Sequence, residues 1–533
     1  MSPDLTGYVE KEVKEGEKTD PGQEHPPAIT ALSLSPLQAN VMWVGTSNRL
    51  VQLTRDGGKS WQNVTPPDLA APAEILYVEA SHHDAASAYL TAGGSRESIP
   101  PMVFRTHDSG KTWQKIVNGF PGDEGVRVVR EDPVRKGLLY AGTDTTVFAS
   151  WDDGDHWQPL TLNLPPAPVT DLTVHGNDVV ISTFGRSFWI LDDVSPLRGM
   201  NPQIMAANAQ LLSPAMAMRV RWDNYEDTPF PPETPAGQNP PDGAIIDYYL
   251  KNAPSGELTL TVYDDKGDVV ASYSSDPKPF EIPPANAPEY WFAHPAALTK
   301  SAGVNRFVWD LRYPAPRTLP YGYFGALLGY TEYTLADHAV PSDTPRLQPQ
   351  GPLVVPGKYT LELSYGGKTY KQPLTLELDP RVRTSQQNLV DQRDVALSAG
   401  RGITASYDAF HAAAALREAL ASSQKSVDRP EIKQAADAIS KQLDAVQNGT
   451  KTAPGFGPVN RELARLIFSV ESADIRPADT VRAAIQQSCD ALDKDLTQWQ
   501  QLNAKDVAAF NALLPAGTTP LPMTKMTTSG CKP

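Results

Sequence analysis

The stretch Thr54-Arg55-Asp56-Gly57-Gly58-Lys59-Ser60-Trp61 returns twice, as Thr106-His107-Asp108-Ser109-Gly110-Lys111-Thr112-Trp113 and as Ser150-Trp151-Asp152-Asp153-Gly154-Asp155-His156-Trp157. All three read Ser/Thr-x-Asp-x-Gly-x-x-Trp, with the tryptophans 52 and 44 residues apart. Repetition at such a period marks one supersecondary unit used several times. The chemistry of the repeat is that of a hairpin turn. Hydroxyl and carboxylate side chains accept hydrogen bonds from the turn's own backbone. Gly58, Gly110 and Gly154 supply the left-handed position, and Trp61, Trp113 and Trp157 open the next strand. We read Asp56, Asp108 and Asp152 as turn braces rather than catalytic groups, because catalysis rarely needs three equivalent copies.

The segments between the turns alternate as half-buried strands do. Ile29–Leu34, Val41–Thr46, Leu50–Leu53 and Trp61–Val64 predict a four-stranded antiparallel meander. A second unit starts at Ile75 and a third at Val126. A fourth runs from Val169 to Leu191 without an aspartate turn or a fourth strand. Four-stranded sheets repeated in this way predict a β-propeller, a fold of typically 4–8 blades. Three complete blades and one of three strands fall short of a comfortable ring. Met1–Leu5 is a short candidate for the missing strand. The expectation is that a preceding N-terminal portion or a partner chain completes the ring.

The predicted fold is mainly β with an α-helical C-terminal part, divided as follows. Residues 1–28 end a preceding blade and form a linker, and 29–195 carry the partial propeller. Proline-rich 196–240 is a linker. Residues 241–380 form a β-sandwich of immunoglobulin or fibronectin type, with turns at Asp264–Gly267 and Gly366-Gly367. Residues 381–515 form a four-helix bundle, with helices near 385–422, 430–447, 458–473 and 477–512. Residues 516–533 are a tail.

At 533 residues the chain is long enough for two to four domains. A net charge of −15 and the lack of a basic patch exclude nucleic acid and anionic membrane as expected partners. No apolar run approaches the roughly 20 residues of a membrane span. Cys489 and Cys531 are open to both the reduced and the bonded state. No metal site or cofactor is expected. The sequence contains no Gly-x-Ser-x-Gly, no His-Glu-x-x-His and no phosphate-binding glycine loop, and His82-His83-Asp84 reads as a surface loop.

The aspartate repeats resemble those of the Asp-box, or bacterial neuraminidase repeat, proteins, among them sialidases, xyloglucan-cleaving glycoside hydrolases and sortilin-type receptors. Thr183-Phe184-Gly185-Arg186-Ser187-Phe188-Trp189-Ile190-Leu191-Asp192-Asp193 is similar to the final blade of large secreted bacterial proteins of the sortilin-like, glycosyl-hydrolase-like group. The resemblance implies an extracellular or periplasmic parent protein longer than this chain. It also implies a propeller that engages carbohydrate, with or without cleavage of glycosidic bonds by a carboxylate pair, or else a non-catalytic module for a peptide or protein partner. The chain itself opens on polar Met1-Ser2-Pro3-Asp4 in place of a signal peptide.

Strand order puts the aspartate turns on the end that also carries the first-to-second-strand connections. Propeller ligand sites usually lie at the opposite end. Asp144 and Glu97 are the candidate catalytic carboxylates there. Arg49, Arg96 and Arg186, with Asp123 and Glu124, are the candidate substrate contacts. The aromatic segment Tyr321-Gly322-Tyr323-Phe324, with Tyr330 and Tyr333, reads as packing rather than sugar stacking. The arginine triad and Tyr–Glu pair of a sialidase, and the xyloglucanase aspartate pair, cannot be assembled from this sequence.

Overall fold

The computed structural model describes residues 3–8, 26–69, 73–94, 100–221, 233–234, 237, 239–279, 295–319, 349–426, 429–525 and 528–532. The chain divides into two compact units, Met1–Ala206 and Ala207–Pro533. It is mainly β-sheet, with a helical C-terminal region.

The first unit holds four antiparallel sheets whose strands lie in sequence order. They are β1 Ile29–Leu34, β2 Met42–Thr46, β3 Val51–Thr54 and β4 Gln62–Asn63; then β5 Glu74–Ala80, β6 Ala88–Gly93, β7 Val103–Thr106 and β8 Gln114–Lys115. The third sheet comprises β9 Val126–Glu131, β10 Leu139–Thr143, β11 Val147–Ser150 and β12 Gln158–Pro159. The fourth has three strands, β13 Val169–His175, β14 Asp178–Thr183 and β15 Phe188–Leu191.

Each first strand carries a register shift at one place, after Ile29, Ile75, Val126 and Val169. Such bulges bend a strand and fix its register, so the four sheets align residue for residue. Successive first strands adjoin: β1 meets β5, β5 meets β9, and β9 meets β13. The bulge residue of one sheet packs over a small residue of the sheet before it. A Cβ added to Gly45 would lie 2.3 Å from Ile75 Cγ2, and one on Gly142 would lie 2.6 Å from Val169 Cγ1.

The aspartate turns are built alike. Thr54 Oγ1 donates to Asp56 Oδ1 at 2.8 Å, and the Ser60 N–H and hydroxyl donate to the two carboxylate oxygens at 2.9 and 2.6 Å. Thr106, Asp108 and Thr112 repeat the set, as do Ser150, Asp152 and His156. Bonds from Thr112, with burial opposing, hold the Asp108 carboxyl down at about 2. Each turn also donates one backbone N–H to the first connection of its own sheet: Gly57 to Asn40 O, Ser109 to Ala86 O, and Asp153 to Gly137 O.

The turn tryptophans staple sheet to sheet. Trp113 Nε1 donates to Val64 O at 2.7 Å and Trp157 Nε1 to Ile116 O at 3.0 Å, in each case in the preceding sheet. Trp61, in the first sheet, donates instead to Gly58 O of its own turn at 3.2 Å. Residues 3–8 form no strand. Leu5 O and Thr6 O accept from Gln52 Nε2 and Asn48 Nδ2, which places this segment on the first sheet and not at the edge of the fourth. Two short helices, α1 Ser195–Gly199 and α2 Pro202–Ala206, end the unit. Arg135 Nη1 donates to the carbonyls of Leu197, Arg198 and Met200, and Arg198 Nε pairs with buried Asp132 at 2.9 Å.

The second unit has two sheets around one core that includes Ile246, Tyr248, Leu260, Trp309, Leu361 and Leu376. One sheet orders β16 Ala209–Leu211, β18 Ala244–Leu250 and β21 Gly303–Trp309. The other orders β17 Ala217–Arg219, β23 Lys368–Leu378, β22 Gly357–Tyr365, β19 Thr259–Tyr263 and β20 Val269–Ser274. Thus β16 and β17 arise from the proline-rich stretch that reads as linker, and β17 pairs parallel to β23.

The helices are α3 Gln386–Ser426, α4 Pro430–Asn448, α5 Phe456–Glu471, α6 Asp479–Gln501 and α7 Ala508–Leu513. A π-helical turn at Leu502–Val507 interrupts what reads in the sequence as one helix up to 512. Their core gathers Ile403, Leu443, Leu463, Leu492 and Trp499. Strand β17 is tied to the helices by buried Arg219, which reaches Asp474 Oδ1, Gln392 Oε1 and Val354 O. Cys489 of α6 and Cys531 of the tail form a disulfide with Cα atoms 5.3 Å apart.

Candidate functional site

The residues nominated from sequence are scattered or engaged with their own sheets. Arg49 is exposed in the β2–β3 turn at φ 72°, and Arg186 is exposed in the β14–β15 turn, where its carbonyl accepts from Trp189 Nε1. The third sheet brings together Asp123, Glu124 and Asp144 at one end. Glu124 Oε1 accepts from the Thr145 N–H and hydroxyl at 3.0 and 2.7 Å. Asp144 Oδ1 lies 2.7 Å from both Nε and Nη2 of Arg127. Glu97 and Arg96 lie outside the described residues, as do Tyr321, Tyr323, Phe324, Tyr330 and Tyr333.

A cavity of about 270 Å³ lies where the four first strands come together. Its wall takes the same two register positions from every sheet: Ser33 and Leu34, Glu79 and Ala80, Arg130 and Glu131, Thr173 and Val174. Pro36, His82 and Pro133, from the first connections, complete it. The cavity therefore lies toward the aspartate-turn end, and Arg49, Asp144 and Arg186 lie at the other end of their sheets.

Its charged groups converge. Arg130 Nη1 lies 3.0 Å from Glu79 Oε2, Arg130 Nη2 lies 3.2 Å from Asp171 Oδ1, and Arg130 Nε donates to Leu172 O. The guanidinium also stacks over the Tyr77 ring, with its carbon 4.1 Å from the centroid. His82 Nε2 sits 3.4 Å from Glu79 Oε1. Glu131 accepts from Ser81 Oγ at 2.6 Å, the His82 N–H at 2.7 Å and the Tyr89 hydroxyl at 3.2 Å.

Burial pushes the Glu79 carboxyl above the usual carboxylate range; the bond from His82 opposes this and the charge of Glu131 adds to it. The His82 imidazole is raised in turn by its bond to Glu79, against its own burial. A carboxyl raised by desolvation beside a second carboxylate has the form of an acid–base pair. The sequence signal for it is a polar residue recurring at one register position of the first strands: Ser33, Glu79, Arg130 and Thr173.

His83 and Asp84 are engaged elsewhere, His83 Nε2 with Asp132 O at 2.9 Å and Asp84 with the Ser87 hydroxyl at 2.7 Å. Among the described residues no group of three or more His, Cys, Asp or Glu is placed to hold a metal ion. No described helix is long and apolar enough to cross a membrane.

No protein-family model matches the chain. Over 87 residues, 16% of its length, it is 33% identical to a probable oligoxyloglucan-reducing end-specific xyloglucanase of Neosartorya fischeri. The match spans 10% of that protein. Among solved structures it is similar to YCF48 from Cyanidioschyzon merolae, at 17% identity and a TM-score of 0.25, over 32% of this chain and 54% of that one. It is also similar to the GH74 xyloglucanase from Xanthomonas campestris, at 14% identity and a TM-score of 0.25, over 63% of this chain and 56% of that one. At these scores the structural likenesses carry no argument about chemistry.

Proposed function

We propose that the four sheets are blades of an Asp-box β-propeller and that the chain engages carbohydrate at the cavity on their common axis, in the manner of a glycoside hydrolase. The observation that carries this reading is that Glu79 and Glu131, from adjacent first strands, line one polar cavity with Arg130 and His82. Glu79, raised by burial, is the proton donor to the leaving glycosidic oxygen. Glu131 is the carboxylate that takes a proton from the attacking water. Arg130 and His82 hold Glu79 in place. The short identity to a xyloglucanase supports a polysaccharide as substrate. The Cys489–Cys531 disulfide supports an extracellular or periplasmic location.

Asp144 and Glu97 are the competing pair, with Arg49, Arg96, Arg186, Asp123 and Glu124 around them. A reducing-end assay of the full chain on xyloglucan and a panel of other polysaccharides separates the two. Glu79→Gln lowers turnover at least about 100-fold, and Asp144→Asn leaves it within a few-fold. The reverse pattern moves the site to the opposite end. Binding without turnover turns the chain into a carbohydrate-binding module, and neither binding nor turnover sinks the carbohydrate reading.

A second reading, a non-catalytic assembly module, is favoured by a separate observation. Large apolar side chains stand exposed on the first and last sheets, among them Leu32, Leu34, Phe184 and Phe188.

A further inference from the structure

The bulge register makes the four sheets comparable residue by residue, and the comparison isolates two faces. Ile75, Val126 and Val169 are buried beneath the preceding sheet, whereas their equivalent in the first sheet, Ile29, is 52% exposed. One turn of the pleat further, Val78, Val129 and Leu172 are buried and Leu32 is 61% exposed. Among the described residues, the first sheet thus has a leading face with the residues of an inter-sheet junction and no sheet upon it; the short Leu5–Thr6 segment bonds only to Gln52 and Asn48 of β3 and the β2–β3 turn. Trp61 agrees: its counterparts bond to the preceding sheet, and it turns back on its own loop.

The fourth sheet shows the complementary half. Val51, Val103 and Val147, which pair with the second strands at one level, are buried under the following sheet. Their equivalent Phe188 is 75% exposed. Leu53 and Ala149 are buried, and their equivalent Ile190 is 56% exposed. Ser182 occupies the position of Gly45 and Gly142, the small residues over which the next bulge residue packs.

A chain that carries both halves of one repeated junction, each unfilled, is complementary to itself head to tail. We propose that a second copy of this chain covers both faces. Ile29 and Leu32 of each copy pack on Ser182, Phe188 and Ile190 of the other. Two such contacts related by a twofold axis close on themselves. Four sheets from each copy give a ring of eight, within the range that propellers adopt. The proposal rests on the propeller reading above and is independent of the carbohydrate reading. Dimerisation with neither carbohydrate binding nor turnover overturns only the latter.

The test is light scattering of the purified full chain across micromolar concentrations, followed by cross-linking. Wild type runs at twice the chain mass. Leu32→Asp and Ile190→Asp, both at exposed positions, each run at the single mass with circular dichroism unchanged. Mixing Ile29→Cys with Ser182→Cys chains under oxidising conditions gives a covalent pair that neither variant forms alone. A wild-type monomer at all concentrations overturns the proposal. A dimer indifferent to both aspartate substitutions, or the absence of the mixed covalent pair, does so too. In those cases the faces belong to sheets other than those of a second copy.

Discussion

Arg130 Nη1 lies 3.0 Å from Glu79 Oε2, joining the first strands of two neighbouring sheets at the cavity wall. Glu79 is buried and Arg130 half-buried, and the pair is only part of a larger set, since Arg130 also holds Asp171 and Glu79 also meets His82. Removing one member of such a set leaves a charge without its counterpart, which costs more than the pair contributes as a whole.

His82 gives the cavity a pH signature. Its imidazole is raised by the bond to Glu79, so its charged form stabilises the fold fully below the ordinary histidine value of 6.5 and loses that contribution as pH rises through the raised value. His82→Gln is therefore less stable than wild type at about pH 5.5, and the gap closes by about pH 8.5. Urea unfolding at the two pH values measures it, and an equal gap at both refutes the charged contact.

Asp495 works the other way from a surface carboxylate. It is fully buried, its Oδ2 accepts from the Gly455 N–H at 3.0 Å, and its Oδ1 has no hydrogen-bond partner among the described residues. Burial pushes it up to about 6. Its protonated form favours folding, and that contribution is lost as pH rises through about 6. Asp495→Asn keeps the acceptor and cannot ionise. It should stabilise the helical region by up to about 3 kcal/mol near neutral pH and by nothing near pH 4.

The sheet junctions predict a sharp contrast between glycines. A Cβ on Gly142 would meet Val169 Cγ1 at 2.6 Å and Val128 Cγ1 at 2.8 Å, and one on Gly199 meets nothing within 4 Å. Gly142→Ala should cost about 1–3 kcal/mol, the usual range for overpacking. Gly199→Ala should be near neutral. Thermal unfolding of both variants checks the pair.

The disulfide closes a loop between positions 42 residues apart. Cys531→Ser should lower stability by about 2–4 kcal/mol, chiefly by freeing the unfolded chain. Reducing agent should do the same to wild type and nothing further to the variant.

The repeats were legible because alternating strands and Asp-Gly turns are local signals, and the sheets at Ile29, Ile75, Val126 and Val169 begin where that pattern begins. The cavity was not. Glu79 and Arg130 are each the next-to-last residue of a strand, where a charge reads as a solvent-facing residue, and only the stacking of four sheets brings them to the wall of one cavity. Strands β16 and β17 are three residues each within a proline-rich stretch, too short for a periodicity. They are specified by partners far away, Leu250 for Ala209 and Leu376 for Ala217.

The cavity lining takes side chains at the same two levels from each of four separately braced sheets, and at one of these levels all four are polar. Ser33, Glu79, Arg130 and Thr173 therefore answer to the axis and not to the ladders that hold their strands. They are also seam residues: Ser33 Oγ accepts from the Ala80 N–H, and Arg130 joins Glu79 on one side to Asp171 and Leu172 on the other, so rewriting the cavity's chemistry at one sheet also rewrites that sheet's seam with the next.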